Sequence, residues 1–423
     1  MHLPPRLRLA LGRVRRSSVY RVVLWCFGLL VSAQAVTIAI LSFVVAARRR
    51  GRKPRQGFPH DNYPEVRVGD NQLKLYTYGS ELFDAMIAAI EYARETIYLG
   101  TFIWKDDATG QRFKERLARK AAEGVQVYVI YDGFGNLVVP RRFKQFARSI
   151  HVLRFQSVQR PWHLLDPRRY AVDHRKLLVV DGRISFIGGY NLGSEYATEW
   201  RDTHLRIRGP AAADLAQSFV DFWNRHQVKS HYINRHYPRH FEPLIGLRGN
   251  DATRLTFPIR DMYIDAIERA EHHIYLTNAY FVPDHVLLDA LKSAAQRGVD
   301  VQVLVPWTSN HIVVDWAARG YFAECLEAGI RIFGYRGAMI HAKTCTIDGQ
   351  WTTIGTANLD RLSSVGNYEI NVEVYSTDLA RQMEQAFECD KTNARELTLE
   401  QWSQRPWYVA ASEWILAPLR FLL

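Results

Sequence analysis

Two histidines in this chain stand in the same setting. His174 is followed by Lys176 and Asp181, and His341 by Lys343 and Asp348, so both read H-x-K-x4-D at an offset of 167. Seventeen residues beyond each histidine is an asparagine, Asn191 or Asn358, just after a glycine-containing turn (Gly188-Gly189; Gly355-Thr356). Twenty-eight residues beyond each is a carboxylate, Asp202 or Glu369. At average residue usage such a set coincides by chance roughly once per 10⁵ histidines, so two copies among fifteen histidines are no accident. Residues two apart in a strand project from one face, which aims each imidazole and its ammonium at the same place. A lone histidine on a strand is more often a hydrogen-bonded core residue, and a repeat copies structural residues too. The combination carries the chemistry: an imidazole, a cation and an amide from each copy supply the donors required by a tetrahedral phosphorus with three equatorial oxygens. Asp181 and Asp348 count with the catalytic set as motif members, although each precedes a glycine at the end of an apolar strand, where an aspartate fixes a turn.

The elements that must position these groups are themselves repeated. Ile90-Glu91-Tyr92-Ala93 leads to Thr96-Ile97-Tyr98-Leu99, and Ile267-Glu268-Arg269-Ala270 leads to His273-Ile274-Tyr275-Leu276, a helix end followed by an apolar strand in both cases. Gly124-Val125-Gln126-Val127 and Gly298-Val299-Asp300-Val301 match as helix stop and strand start. Helical periods near 80–94, 110–123, 284–297 and 318–328 alternate with short apolar runs such as Val125–Tyr131 and Val301–Val305, which predicts α/β sheets with helices on their faces. Residues 228–250 read as a polar connector between the halves. Its histidines, His231, His236 and His240, together with His226, have no spacing that places two on one helix face with a third ligand nearby, so no metal site is expected.

The 423 residues suit two domains and an appendage. Cys26, Cys325, Cys345 and Cys389 lie too far apart for a redox pair or a zinc quartet. The net charge of +12 suggests a polyanion until it is located. Residues 1–55 hold twelve basic and no acidic residues, leaving 43 of each sign in the rest, so the body is formally neutral and nucleic acid is not an expected partner. Between the basic blocks, Val22 to Ala47 is an uncharged run of 26 residues, where a helix needs about 20 to cross a bilayer. Ala33-Gln34-Ala35 fits a cleavage site, but the run continues for a dozen residues past it, which suits an uncleaved anchor better. Six basic residues on each side leave the positive-inside count tied.

The paired motifs with their downstream asparagines resemble the phospholipase D superfamily over about residues 70 to 390. Thr101-Phe102-Ile103-Trp104-Lys105-Asp106-Asp107, Tyr131-Asp132-Gly133-Phe134-Gly135, Trp200-Arg201-Asp202-Thr203-His204 and Glu413-Trp414-Ile415-Leu416-Ala417-Pro418-Leu419 are similar to its bacterial cardiolipin synthase branch. The resemblance implies two tandem α/β sandwich domains related by pseudo-twofold symmetry and sharing one active site. It also implies metal-independent chemistry without a cofactor and a phosphohistidine intermediate. The expected organisation is an anchor at 1–55, phospholipase D-like domains at 56–235 and 236–398, and an apolar tail at 399–423. The expected location is the bacterial cytoplasmic membrane, single-pass, with the body on the cytoplasmic side. The implied reaction joins two phosphatidylglycerols into cardiolipin and releases glycerol. His174 is the nucleophile by family precedent and His341 the acid and base, although the near-symmetric sequence does not choose between them. Lys176, Lys343, Asn191 and Asn358 hold the phosphate oxygens, and Asp202 and Glu369 orient the imidazoles. The acceptor, phosphatidylglycerol or phosphatidylethanolamine, and the oligomeric state stay open. A membrane-anchored phospholipase D with water as acceptor would use the same residues. Two departures stand out: Gly189 lies where many members carry Ser or Thr, and one span lies where well-studied synthases have two.

Overall fold

A computed structural model describes residues 18–50, 57–156, 158, 170–238 and 242–418. The first basic block up to Arg16, the cations Arg52, Lys53 and Arg55, His240, Leu419 and Arg420 lie outside the described residues.

The chain opens with α1 (Ser18–Arg50). The first repeat runs β1 (Val66–Val68), β2 (Asn71–Tyr76), α2 (Gly79–Tyr92), β3 (Thr96–Thr101), α3 (Ala108–Ala122), β4 (Gln126–Asp132), β5 (Ile150–Phe155), β6 (Leu177–Val180), β7 (Ile184–Gly188), α4 (Ser194–Thr198), β8 (Trp200–Arg201), β9 (His204–Arg208) and α5 (Ala212–His226). The second runs β10 (Ile245–Asn250), α6 (Pro258–Glu268), β11 (His273–Asn278), α7 (His285–Gln296), β12 (Asp300–Pro306), α8 (Ile312–Glu327), β13 (Arg331–Tyr335), β14 (Met339–Ile340), β15 (Lys343–Ile347), β16 (Trp351–Gly355), α9 (Arg361–Val365), β17 (Glu369–Tyr375), α10 (Thr377–Lys391) and β18 (Ala394–Leu397), followed by α11 (Leu399–Ser403) and α12 (Trp407–Leu416).

The first sheet has the order β1-β2-β9-β7-β6-β3-β4-β5 and the second β10-β17-β16-β15-β11-β12-β13-β18. Matching strand for strand, they differ only in β1 on one edge of the first and β18 on the opposite edge of the second. In each, three strands joined by crossovers run parallel (β3-β4-β5; β11-β12-β13) and the remainder pair antiparallel. The central strands β3, β6, β15 and β16 are buried at every position, as sheets covered on both faces require. One apolar cluster runs through both repeats, joining Leu177, Val179 and Ile187 to Ile354, Ile370 and Val372. The interface between the halves is therefore a continuous core.

Two expectations need correction. The connector is not all polar loop. Ile245–Asn250 pairs with β17 as an edge strand, and Ile233 and Tyr237 are buried, the Tyr237 hydroxyl lying 3.1 Å from that of Tyr98. Gly246, Arg248 and Gly249 hide this strand, because an edge position tolerates residues that a central one does not. Helix α8 starts at Ile312, six residues earlier than its periodicity indicates, since Asp315 accepts the Ser309 N–H at 2.8 Å and settles the first turn around β-branched residues. The C-terminal tail folds into α11 and α12. Trp402 is buried against Phe322, whereas Trp407 and Trp414 are exposed.

Helix α1 contains the candidate span Arg21–Val44, 24 residues, or about 36 Å at 1.5 Å per residue, which exceeds a hydrocarbon core of about 30 Å. Trp25, Phe27, Leu29 and Phe43 are exposed on it. It packs against α8 and α12. The buried amide of Gln34 donates to the Ile415 carbonyl at 3.2 Å, satisfying a polar group in an apolar helix.

Candidate active site

His174 and His341 lead into β6 and β15, and each is fixed by the other repeat. The His174 backbone N–H donates to the Tyr368 carbonyl at 3.0 Å, and that of His341 to the Arg201 carbonyl at 2.7 Å. Tyr368 and Arg201 are the residues immediately before the two carboxylates. A backbone bridge from Asp173 to Tyr368 and the parallel pairing of β14 with β8 repeat this interlock on both sides of the pseudo-twofold axis.

Side chains follow the backbone. His174 Nδ1 lies 2.9 and 3.0 Å from the Glu369 carboxylate oxygens, and His341 Nδ1 lies 2.6 Å from Asp202 Oδ2. The pairing is crosswise: the carboxylate of each repeat holds the imidazole of the other. With Nδ1 engaged, Nε2 is the ring nitrogen left for chemistry. Lys176 Nζ donates to the His174 carbonyl at 2.6 Å, and Lys343 Nζ to the His341 carbonyl, leaving each ammonium two further donors. All six groups are buried.

The electrostatics show how closely the two halves approach. Burial lowers the His174 pKa; Glu369 opposes that, while Lys176 and, from the other repeat, Lys343 reinforce it. Burial lowers His341 well below the ordinary imidazole value, with Lys343, Lys176 and His174 acting in the same direction. Burial also brings Lys176 down to about 7 and Lys343 to about 8 and pushes Asp202 up to about 6 against the pull of Lys343. Cations and imidazoles from both repeats thus crowd one water-poor cleft, where an anion would relieve the repulsion.

A family profile described as "Cardiolipin synthase, PLD-like domain" matches residues 86–223 and 263–391, both halves of this arrangement. The chain belongs to the cardiolipin synthase family of the phospholipase D superfamily. It is 34% identical over 369 residues to the major cardiolipin synthase ClsA of Bacillus subtilis, covering 83% of this chain and 75% of that one. It is 37% identical over 360 residues to a cardiolipin synthase of Listeria welshimeri, covering 81% and 74%, and 37% identical over 348 residues to cardiolipin synthase A of Pseudomonas putida, covering 79% and 71%. Among solved structures, a phosphatidylserine synthase of Haemophilus influenzae shares the fold at a TM-score of 0.64 and 14% identity, over 85% of this chain and 95% of that one. Membership makes the chain an enzyme, a phosphatidyltransferase of that superfamily.

Not every residue of the family motif reaches the cleft. Asp181 accepts the backbone N–H groups of Arg94, Glu95 and Thr96 at 2.8–2.9 Å. Asp348 accepts those of Glu271, His272 and His273 at 2.8 Å. Both sit at φ +53° at the far ends of β6 and β15, about seven strand residues or 20 Å from the histidines. Their inclusion in the catalytic set is corrected: they tie β6 to the start of β3 and β15 to the start of β11. The asparagines are held unequally. Asn191 Oδ1 accepts the Ile103 N–H at 3.1 Å, whereas Asn358 Oδ1 is buried without a hydrogen-bond partner, because the matching loop N–H of Tyr280 donates to Asn278 instead, also at 3.1 Å.

The Gly189 departure has a steric cause. A Cβ there would lie 2.1 Å from Asp202 Oδ1, whereas Thr356 at the matching position donates to Glu369 Oε2 at 2.5 Å. The first repeat positions its shorter carboxylate with the Thr203 N–H at 2.7 Å. Residue-by-residue reading missed the aromatic walls. Phe102 stands edge-on to His174 with centroids 4.9 Å apart, and Trp200 does the same to His341 at 5.2 Å. Asp132, pushed up to about 6 by burial, accepts the N–H groups of Phe134, Gly135 and Asp173, which ties the turn after β4 to the residue before His174. The Asp-Gly pair and the Trp-Arg-Asp string carry the signal for these roles, but only through resemblance.

Proposed function

We propose that the chain makes cardiolipin from two phosphatidylglycerols at this cleft. The observation that carries the reading is the crosswise pairing, which engages Nδ1 of both imidazoles and leaves Nε2 outside that contact on each, with Lys176 and Lys343 both close enough to act on both rings. Neutral His174 attacks phosphorus through Nε2, and the bond to the glycerol oxygen breaks as protonated His341 delivers its proton to that oxygen. An anionic phosphodiester opposes the burial that keeps the His341 ring neutral. Glycerol leaves, and the phosphatidyl group stays on His174. The primary hydroxyl of a second phosphatidylglycerol gives its proton to His341 and attacks phosphorus, the P–N bond breaks, and His174 is regenerated. Lys176, Lys343, Asn191 and Asn358 stabilise the oxygens, while Glu369 and Asp202 fix the tautomers. The anchor keeps donor and acceptor at high effective concentration, with the body on the cytoplasmic side of the bacterial membrane. The full chain in phosphatidylglycerol vesicles is expected to release glycerol and cardiolipin together; phosphatidic acid as the sole lipid product refutes the reading. Trapped phosphate on His341 but never on His174 reverses the two roles.

A further inference from the structure

The catalytic groups obey the pseudo-twofold symmetry, but their surroundings do not. In the second repeat α8 fills the connection between β12 and β13; the matching connection between β4 and β5 holds turns and no helix. Beneath α8, and bordered by β18, α11 and the start of α12, is a partly open cavity of about 410 Å³, within the roughly 300–1,000 Å³ range of ligand sites. Its walls are apolar and aromatic, with Phe281, Trp307, Val314, Phe322, Trp402 and Val409 contributing. Three arginines, Arg319, Arg395 and Arg405, line it beside the carboxylate of Asp315, and Arg405 is also paired with the buried Glu413 at 3.1 Å.

Two contacts give this cavity a direction. Tyr280 lines it and also stands edge-on to the His341 ring at 6.2 Å between centroids, so one aromatic wall separates cavity and imidazole. At the other end, α8 and α12 are the helices on which the candidate membrane span rests. An apolar chamber edged with cations, between the proton-transferring histidine and the bilayer anchor, suits an anionic amphiphile that reaches His341 with its polar end.

We propose that this cavity takes an acyl chain of the acceptor phosphatidylglycerol, and that the arginines receive its phosphate. The inference rests on the reaction proposed above. In that reaction the acceptor hydroxyl meets His341, and the acceptor phosphate follows three carbons behind it, with the chains beyond. On the donor side, among the described residues, no helix lies between β4 and β5 to build a matching wall. The asymmetry separates two lipids that are chemically identical.

The test uses the full chain in phosphatidylglycerol vesicles with two readouts: cardiolipin formation, and exchange of radiolabelled glycerol into phosphatidylglycerol. Exchange runs through the same histidine intermediate but needs no second lipid. Ala318→Phe and Val314→Phe, each filling the cavity from α8, are expected to lower cardiolipin formation at least tenfold and leave exchange within twofold. Equal loss of both activities in both variants, or loss of neither, overturns the proposal. Absence of cardiolipin with the unaltered chain refutes the proposed reaction itself, which distinguishes that failure from failure of the cavity assignment.

Discussion

A buried imidazole is useful only in the right tautomer, and here the tautomer is set from across the molecule. Glu369→Gln and Asp202→Asn keep the shape but present an amide, which tolerates the wrong ring nitrogen as donor. Loss of the equivalent carboxylate in a serine protease triad costs about 10⁴ in kcat, and a fall of roughly 10²–10⁴ in cardiolipin formation is expected for each variant, with the circular dichroism spectrum unchanged. Near-normal turnover in both would mean that the carboxylates do not orient the rings. The same groups set the pH dependence. Asp202, raised to about 6, takes up a proton as pH falls through that value and stops restraining His341, so activity falls on the acid side. Burial lowers the His174 pKa, which favours the neutral, nucleophilic ring. Lys176, at about 7, and Lys343, at about 8, lose their protons as pH rises, and the phosphate clamp weakens. The kcat/KM profile, which reports the free enzyme, is expected to be a bell with flanks near pH 6 and pH 7–8. Lys176→Arg, charged throughout, removes the group that titrates first and is expected to move the alkaline flank upward, toward the value of Lys343 at about 8, even at a reduced rate.

At the scale of elements, the segment carrying Asp202 is held by a buried ion pair. The Arg201 guanidinium meets the Asp390 carboxylate of α10 at 2.8 and 2.7 Å, with both side chains only 3% exposed. Arg201 also offers the carbonyl that receives the His341 N–H, so this pair connects α10 to β8 and to the site. Removing one partner strands a buried charge at a cost of about 3–5 kcal/mol. Asp390→Ala is therefore expected to lower unfolding free energy by that order in denaturant titration, and Arg201→Met with Asp390→Leu to recover most of it; additive losses would argue against the pair. Such long-range partners are what the sequence conceals. The strands and helices beside the motifs are legible from period and punctuation, and His174, Lys176, His341 and Lys343 from their duplication. Which carboxylate serves which histidine depends on how two sheets pack, and no spacing within either repeat encodes that. The edge strand β10, with two glycines and an arginine, and the early start of α8, with its β-branched first turn, depend likewise on contacts made elsewhere. Asp181 and Asp348 show the converse: conspicuous in the motif, they are consumed by backbone N–H groups at the opposite ends of their strands.

For the whole molecule, the question is what α1 contributes beyond attachment. The interlocks that hold the two histidines lie in residues 172–174, 200–202, 339–341 and 367–369, whereas α1 packs against α8 and α12, so the body is expected to retain its fold when residues 1–56 are removed. Its encounter with lipid should not be retained. Holding an enzyme beside its substrate raises apparent affinity by about 10²–10⁴ without any new contact, and both lipids of this reaction lie in the bilayer. The shortened chain is expected to show a rise of at least tenfold in the phosphatidylglycerol surface concentration needed for half-maximal cardiolipin formation on vesicles, with much less change in the rate at saturation. Joining an unrelated single-span helix to residue 57 separates tethering from packing. If the anchor only tethers, that fusion restores the half-maximal concentration completely. If the contact of Gln34 with Ile415 and the packing of α1 on α8 and α12 also hold those helices in place, the fusion restores affinity while cardiolipin formation at saturation stays depressed. A truncated chain as active as the parent on dilute vesicles would remove α1 from the mechanism altogether.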